Sequence, residues 1–302
     1  MEITIAAVGD LLMKKQMIAA AAREGGFDSI FSKVKPYLQG ADLTIGNLET
    51  TFSGKSFRGE PGKLLFNSPD KFAATLRNLG FDVVGTANNH CMDGKRSGLM
   101  RTLDVLDRHG LRHTGTYRSA SEASQNLIVN VKGINIGILA YTKGTNGIPV
   151  PEPWLVNRLY QKKIIADVRN LKSRTDFIIA CLHFGKEFRP YPDRSQIQLM
   201  QVLFKQGVNV VLGAHPHVLH PIRMYQVKDI DGHTRNRVAA SSLGNFVSTE
   251  LPKHRARLQG SILMLTLSKD ENGITDVSKI SNVPTRILQN IGKKKVFRVV
   301  PG

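Results

Sequence analysis

Six polar side chains of the types that bind divalent cations are spread along the sequence, each shortly after an apolar run. These residues are Asp10, Glu49, Asn89, His183, His215 and His217. Carboxylate oxygens, amide oxygens and neutral imidazoles suit manganese, iron or zinc. The sequence has only 2 cysteines, Cys91 and Cys181, which argues against a thiolate cage or a disulfide framework. The residue types therefore predict a metal centre held by oxygen and nitrogen atoms.

The carboxylates favour a centre with two ions rather than one. A carboxylate such as Glu49 can bridge two cations about 3.5 to 4 Å apart, and such a pair stabilises both the attacking and the leaving oxygen of a displacement at phosphorus. The pattern therefore predicts hydrolytic chemistry with two divalent metal ions.

Several of these residues also have an ordinary structural interpretation. His215 and His217 could be polar residues at the end of a strand, although alternate positions of an extended segment direct both side chains to one side. His183 could be a hydrogen-bonded core histidine. Asn88 and Asn89 suit a turn, because asparagine tolerates left-handed backbone. The shared position of the six residues after apolar runs favours the ligand interpretation.

The elements that must position these residues alternate between β-branched runs and segments of helical periodicity. The predicted strands are 3–8, 42–45, 82–86, 134–141, 176–182 and 208–212, and the predicted helices are 14–23, 29–38, 69–79, 98–109, 158–171 and 195–206. This alternation is typical of an α/β sheet covered by helices. The cation-binding residue types follow five strand ends, which is the edge of an α/β sheet where ligands bind.

Length and composition favour one globular domain over residues 1–302. Hydrophobic residues make up 41% of the chain, and no low-complexity linker divides it. The portion 253–302 is expected to be basic and mainly β, since the runs 261–267 and 275–280 follow each other without a helix.

No apolar run approaches a membrane span, so the chain as written is expected to be cytoplasmic. It would be membrane-associated or extracytoplasmic if an N-terminal anchor has been removed.

The net charge of +18 predicts an anionic partner, because such a field concentrates anions near the surface. The alternative is that many lysines are only solvated. Lys253, Arg255 and Arg257 in the basic portion illustrate both possibilities.

Several motifs in sequence order resemble the CapA family of capsule and poly-γ-glutamate synthesis proteins over about residues 3 to 250. They are Gly9-Asp10, Gly46-Asn47-Leu48-Glu49, Asn88-Asn89-His90-Cys91-Met92-Asp93, His183-Phe184-Gly185-Lys186-Glu187, Gly213-Ala214-His215-Pro216-His217 and Ser242-Leu243-Gly244-Asn245-Phe246. CapA proteins in turn resemble calcineurin-like metallophosphoesterases. The resemblance implies a metallophosphatase-like layered β-sandwich flanked by helices, with an active crevice at the strand carboxyl ends.

The resemblance also implies roles for individual residues. Asp10 and His217 would bind the first metal, Glu49 would bridge, and the second metal would be held by Asn89, His183 and His215. His90 would donate a proton to the leaving oxygen, with Asp93 as its catalytic partner.

Other polar residues of these motifs are candidates for binding substrate, namely Asn47, Asn88, Glu187 and Asn245. Asp93 and Glu187 could also orient imidazoles or cap helices, and Asn245 could be a turn residue. Leu12 stands where the phosphoesterases have a histidine, so the first metal position is expected to be weak unless Asn47 or a water completes it.

Two functions follow from this sequence. The first is a metal-dependent hydrolase or transferase acting on a phosphoester, or on an amide bond of an acidic polymer. The second is a non-catalytic accessory protein that binds poly-γ-glutamate for synthesis or export, with a membrane-bound polymer synthase complex as a candidate partner. Nucleic acid is an unlikely partner.

Overall fold

Two β-sheets pack face to face at the centre of the computed structural model, which describes residues 1–57, 59–60, 62–229, 232–249, 258–291 and 294–302. The strands are β1 (Glu2–Leu11), β2 (Leu43–Asn47), β3 (Val83–Gly85), β4 (Arg112–Thr114), β5 (Leu127–Val131), β6 (Ile134–Thr142), β7 (Phe177–His183), β8 (Val210–Ala214), β9 (Ile222–Lys228), β10 (Thr234–Ala240), β11 (Asn245–Val247), β12 (Gln259–Lys269), β13 (Thr275–Ile291) and β14 (Lys294–Pro301).

The two sheets combine parallel and antiparallel strands. The first has the order β14-β13-β12-β1-β2-β3-β4, with β11 also paired to β1, and the second has the order β5-β6-β7-β8-β10-β9. Neighbours from β1 to β4 run parallel, as do those from β6 through β7 and β8 to β10. The final strands β12, β13 and β14 are antiparallel, as expected from their succession without helices. Lys253, Arg255 and Arg257 lie outside the described residues.

Helices cover the outer faces of both sheets. They are α1 (Lys15–Arg23), α2 (Asp28–Phe31), α3 (Lys35–Gln39), α4 (Lys71–Asn78), α5 (Lys95–Arg108), α6 (Ala120–Ser124), α7 (Gln161–Lys172) and α8 (Arg194–Lys205). The predicted helix 29–38 is wrong as a single element, since α2 ends at Phe31 and α3 begins at Lys35. Pro36 lies in the first turn of α3, where its missing N–H costs nothing, whereas it would interrupt a continuous helix.

The core consists of three layers of buried side chains. Alternate residues of β1, such as Ile3 and Ile5, face the second sheet and pack with Ile136 and Ile179. The residues between them face the helices of the first sheet, and Ala6 packs in that outer cluster. A third cluster joins the second sheet to α7 and α8. The architecture is therefore an α/β sandwich of two sheets flanked by helices, as the family resemblance implies.

Candidate metal centre

The candidate site begins in the first sheet, where β1 and β2 end and β11 begins. The register pairs Asp10 on β1 with Asn47 on β2 and with Asn245 on β11. The Asn47 amide donates to Asp10 Oδ1 at 2.8 Å. Glu49 follows two residues after the end of β2. The first sheet therefore presents two carboxylates and two amides at one edge.

Two glycines allow β1 and the residues just before β11 to approach each other closely. A Cβ on Gly9 would lie 2.0 Å from the carbonyl oxygen of Gly244. Gly244 has φ of 65°, in the left-handed region that favours glycine. The Asp10 N–H donates to that same carbonyl at 3.0 Å. The motif glycines therefore fix the positions of Asp10 and Asn245.

The second sheet supplies the imidazoles from the ends of β7 and β8. His183 is the last residue of β7, and β8 ends at Ala214, one residue before His215. The His215 N–H donates to Asp10 Oδ2 at 3.4 Å, and His183 Nδ1 lies 3.3 Å from Asn47 Nδ2. The site is thus built across the junction of both sheets.

The first cation position consists of Asp10, Glu49 and His217, whose ligand atoms all lie within 4.8 Å of one another. His217 Nδ1 is 3.1 Å from Asp10 Oδ2, and His217 Nε2 is 3.7 Å from Glu49 Oε1. This grouping matches the first metal set that the family resemblance implies, including Glu49 as the shared residue.

The second cation position consists of Glu49, His183 and His215, which meet the same 4.8 Å limit, together with Asn89. His183 Nε2 lies 3.6 Å from Glu49 Oε1 and 2.9 Å from Asn89 Oδ1. The rings of His183 and His215 are 4.8 Å apart between centroids. All six predicted ligands therefore lie around one point of the molecule.

The chemistry of Glu49 fits a cation. Its side chain is fully buried, and neither carboxylate oxygen meets a hydrogen-bond donor among the described residues. Burial and the neighbouring Asp10 carboxyl raise the pKa of Glu49 well above its usual value. An uncompensated buried carboxylate is costly, and metal coordination is one of the few ways to compensate it. The residues present therefore fit divalent ions.

The imidazoles are held in the form that binds metals. Burial, followed by the charge of His215, lowers the pKa of His183 well below its usual value. Burial, followed by His217, also lowers the pKa of His215. Metal binding requires neutral imidazole, so neither ring needs to lose a proton at neutral pH. His215 Nδ1 is buried without a hydrogen-bond partner among the described residues.

The backbone around His215 and His217 differs from the extended segment that the sequence suggests. Their φ angles are 96° and 58°, in the left-handed region that non-glycine residues seldom adopt. Strand alternation is therefore the wrong explanation for their convergence. The turn after β8 brings their rings to 6.2 Å between centroids, and backbone strain of this kind concentrates at functional sites.

His90 and Asp93 form a buried pair beside the second cation position. His90 Nδ1 lies 2.8 Å from Asp93 Oδ2, and that oxygen also accepts the Phe66 N–H at 2.6 Å. Burial raises the pKa of Asp93, partly opposed by the His90 contact. The His90 charge reaches His183 and His215. Asp93 therefore orients the His90 ring and does not act as a helix cap.

The four predicted substrate-binding residues occupy different environments. Asn47 is in the row at the strand ends, and Asn245 Oδ1 lies 3.0 Å from His217 Nδ1. Asn88 is fully buried and donates to the carbonyl of Leu48 at 2.7 Å, so it braces the loops and does not face a ligand. Glu187 is exposed, and its negative charge interacts electrostatically with Glu49 and His215.

Two further residues contact the site, and the sequence motifs do not predict either of them. Asn146 Oδ1 accepts from the Asn89 amide at 3.2 Å, and Asn146 Nδ2 lies 3.4 Å from His90 Nε2. Phe66 packs against the His90 ring with centroids 4.4 Å apart. The only sequence signal at Asn146 is the dipeptide Asn146-Gly147, which indicates a turn and nothing more.

Comparison with known families identifies the chain's relatives. Residues 4–250 match the family of bacterial capsule synthesis proteins described as PGA_cap. The chain belongs to this family. The family's matched region contains every residue of both cation positions and the His90–Asp93 pair.

Two relatives in the capsule synthesis family come from bacilli. The PGA biosynthesis protein CapA of Bacillus subtilis is 27% identical over 252 residues, which is 80% of this chain and 62% of that protein. The capsule biosynthesis protein CapA of Bacillus anthracis is 23% identical over 98% of this chain and 72% of its own length. The chain thus spans less than two thirds of the Bacillus subtilis relative.

Solved structures share the fold at low sequence identity. A 5'-nucleotidase precursor from Thermus thermophilus superimposes with a TM-score of 0.57 at 15% identity, covering 94% of this chain and 54% of that one. A phosphatase from Mycoplasma pneumoniae gives 0.55 at 15% identity, covering 94% and 93%. The fold of this capsule synthesis family member is therefore the metallophosphoesterase fold.

None of the helices within the described residues has the length and apolar character needed to span a bilayer.

Proposed function

We propose that this chain is a metal-dependent hydrolase of the capsule and poly-γ-glutamate pathway. It would use two divalent ions, manganese, iron or zinc, to cleave a phosphoester or an amide bond in an acidic polymer. The observation that carries this proposal is Glu49, a buried carboxyl shared by two sets of ligand atoms and without a hydrogen-bond donor among the described residues. A structural role alone does not explain such a group, because folding would favour its replacement by a neutral residue.

The proposed chemistry divides between the ions and the protein. A bound pair of divalent ions supplies water of lowered pKa and stabilises charge on the reacting oxygens. The residues that would hold the ions are Asp10, Glu49, Asn89, His183, His215 and His217. Asp93 accepts a hydrogen bond from His90 Nδ1, which leaves His90 Nε2 to hold the proton that the leaving group takes. The Asn146 amide can donate to His90 Nε2 only when that nitrogen is unprotonated, so this contact would stabilise the ring after its proton has been given up.

The first experiment measures bound metal per chain in protein purified without chelator, and then screens phosphoesters and poly-γ-glutamate with the same sample. We expect chelator to abolish turnover. His90→Ala should lower turnover by about 10²- to 10⁴-fold, the usual contribution of a positioned acid, without changing bound metal. Metal-loaded protein without turnover on any of these substrates would contradict the proposed hydrolase.

The matched control is His109→Ala. His109 directly follows the C-terminal end of α5, whereas His90 precedes its N-terminal end. The helix has 14 residues, a length of about 21 Å. Loss of turnover in the His109 variant would show that the assay reports folding and not proton donation.

The net charge of +18 favours a second candidate function. In this role the chain binds poly-γ-glutamate without cleaving it, as an accessory protein of a polymer synthase complex at the membrane, and the metal site only stabilises the fold. Salt-sensitive polymer binding that survives metal removal, in protein without turnover, would favour this role over hydrolysis.

A further inference from the structure

A cleft opens beside the His90–Asp93 pair, between the start of α1 and the segment 51–67. Its larger part has a volume of 420 Å³ and is lined by Lys15, Lys63 and Phe66 among others. A smaller part of 170 Å³ reaches Asp93 and Lys95. The two parts share Phe57, Gly59, Glu60 and Leu65 as walls. They form one cleft.

Two residues that line the cleft contact His90, although neither His90 nor any of the six predicted ligands is among its lining residues. Phe66 forms part of its wall and packs edge-on against His90, with centroids 4.4 Å apart. Asp93 lines the smaller part and contacts His90 Nδ1. At the other end, Lys14 precedes α1, and its charge reaches Glu49. A chain lying in the cleft would therefore be separated from the buried His90 ring by Phe66 and Asp93.

The charges inside the cleft are already arranged around a carboxylate. Glu60 Oε2 lies 2.5 Å from Lys63 Nζ, and Glu60 Oε1 lies 3.4 Å from Lys95 Nζ. Each oxygen of one carboxylate thus faces a different lysine. The group held in this way is the side chain of a glutamate, so the two ammonium groups are spaced for a singly charged carboxylate.

The backbone of Lys95 supports a functional interpretation of this pair. Lys95 has φ of 55°, an angle that a residue with a Cβ seldom adopts and that costs conformational energy. Gly94 beside it allows no side chain, because a Cβ there would lie 1.9 Å from Ser53 Oγ. The close approach of Ser53 to Gly94 therefore fixes the strained turn that carries Lys95.

We propose that this cleft binds the acidic flank of a polycarboxylate chain, and that a carboxylate of this chain displaces Glu60 from Lys63 and Lys95. The inference rests on the proposed function only for the bond that is cleaved next to the cleft. Glu60 is a competitor tethered in the site, so it weakens binding of polymers whose carboxylates cannot replace it on both lysines. Exposed ion pairs are individually weak, and exchange of one carboxylate for another is therefore readily reversible.

The test measures binding of a fluorescein-labelled oligo-glutamate to chelator-treated protein by anisotropy. Glu60→Gln should tighten binding by about 3- to 10-fold, and Lys63→Gln with Lys95→Asn should weaken it by about 10-fold, as expected for contacts of surface ion-pair strength. Asparagine is used at Lys95 because it tolerates the left-handed backbone. In the double lysine variant, Glu60→Gln should no longer improve binding.

The matched control removes the same charge elsewhere. Lys205→Gln with Arg223→Gln alters a groove of 610 Å³ between α8 and β9, and we expect less than about a 2-fold change from the lost field alone. Thermal melts followed by circular dichroism establish that all variants fold. Equal losses in both double variants, or no gain with Glu60→Gln, would overturn the proposal. Equally strong, Glu60-dependent binding of inorganic polyphosphate would overturn the assignment to carboxylates.

This design separates the two proposals. Binding is measured without metal and without turnover. An inactive protein whose affinity for oligo-glutamate depends on Glu60 and the two lysines would therefore support the cleft proposal and contradict the hydrolase proposal. A turnover-competent protein with none of these affinity changes would do the reverse.

Discussion

The two cation positions share Glu49 but differ in the hydrogen bonds that their other ligands already make within the protein. In the first, Asp10 accepts from Asn47 and lies 3.1 Å from His217, whose Nδ1 also lies 3.0 Å from Asn245. In the second, His215 Nδ1 has no hydrogen-bond partner among the described residues. The first position is therefore stabilised by internal hydrogen bonds, whereas the second retains unused ligand capacity.

Because of this difference, the two positions should bind cations unequally. Burial opposes ionisation of Asp10, but the His217 hydrogen bond and the surrounding imidazoles lower the pKa of Asp10 to about 2. A cation entering the first position must replace these contacts. One entering the second replaces the His183–Asn89 contact but gains His215 Nδ1, which has no hydrogen-bond partner among the described residues. Leu12, buried near the end of β1, also provides no ligand atom where the phosphoesterases have a histidine. We therefore expect the second position to fill first.

The largest effect is expected from Glu49→Gln, which removes the ligand common to both positions. We expect the affinity for both cations to fall by more than about 100-fold, since even residues that only orient ligands contribute 10- to 100-fold. The metal-free variant should be more stable than the parent at neutral pH by about 1 kcal/mol, because a buried carboxyl without compensation has been neutralised. Calorimetric titration with manganese or zinc and thermal melts measure both. Unchanged cation binding would remove the metal centre.

His183→Ala and His217→Ala separate the two positions. His183 belongs to the second position, so its loss should weaken the tighter cation by about 100-fold or more, the effect of losing a ligand and not only its support. His217→Ala should leave the tighter cation within about 10-fold, the effect of an outer residue, and eliminate the weaker one. Metal analysis after dialysis gives the stoichiometry of each variant. The opposite pattern would reverse the ranking of the positions.

The central strands and the convergence of the ligands could be predicted from the sequence for one physical reason. Strands such as β1 and β7 are buried on both faces, so nearly every residue is apolar, and a polar ligand at the carboxyl end stands out. Glu49 and His183 were therefore found without knowledge of the contacts between them. The division of the strands between two sheets was not derivable from these patterns, since strand pairing is not encoded in local periodicity.

Other features lacked any local signal. Strands β4 and β11 have 3 residues each, too few to show a period. Strand β9 is an edge strand with mostly exposed residues, so its alternation does not mark it as part of a core. The left-handed backbone of His215 and His217 depends on tertiary packing. The role of Asn146 is hidden behind a turn dipeptide, because its contacts with Asn89 and His90 are more than 50 residues away.

The pH dependence of cation binding should be the same for both positions. The pKa of Glu49 is raised in the metal-free chain, so below that pKa a cation must displace its proton and affinity rises with pH, by up to about 10-fold per unit. Asp10 and the imidazoles of lowered pKa are already deprotonated at neutral pH and add little. Titrations between about pH 6 and pH 8 in buffers of different ionisation enthalpy count the proton released.

The raised pKa of Glu49 also determines how the stability of the metal-free protein changes with pH. The folded chain binds the Glu49 proton more tightly than the unfolded chain, so this contribution is fully present below the unfolded pKa of 4.5. It is lost as the pH rises through the raised folded value. A ratio of the two cation affinities that changes with pH over the titrated range would show that another group distinguishes the positions.

The smallest effect is expected from Asn146→Ala, which tests the support of the second position alone. The Asn89 amide donates to Asn146 Oδ1, and this leaves Asn89 Oδ1 directed at His183. Without Asn146 the Asn89 amide can rotate, so we expect the tighter cation to weaken by about 10-fold, the lower end of the effect of ligand-orienting residues. The weaker cation should be unaffected, because Asn245 and Asn47 support its ligands instead. Calorimetric titration of both sites decides this, and equal weakening of the two cations would mean that the positions are mechanically linked through Glu49 and not independently supported.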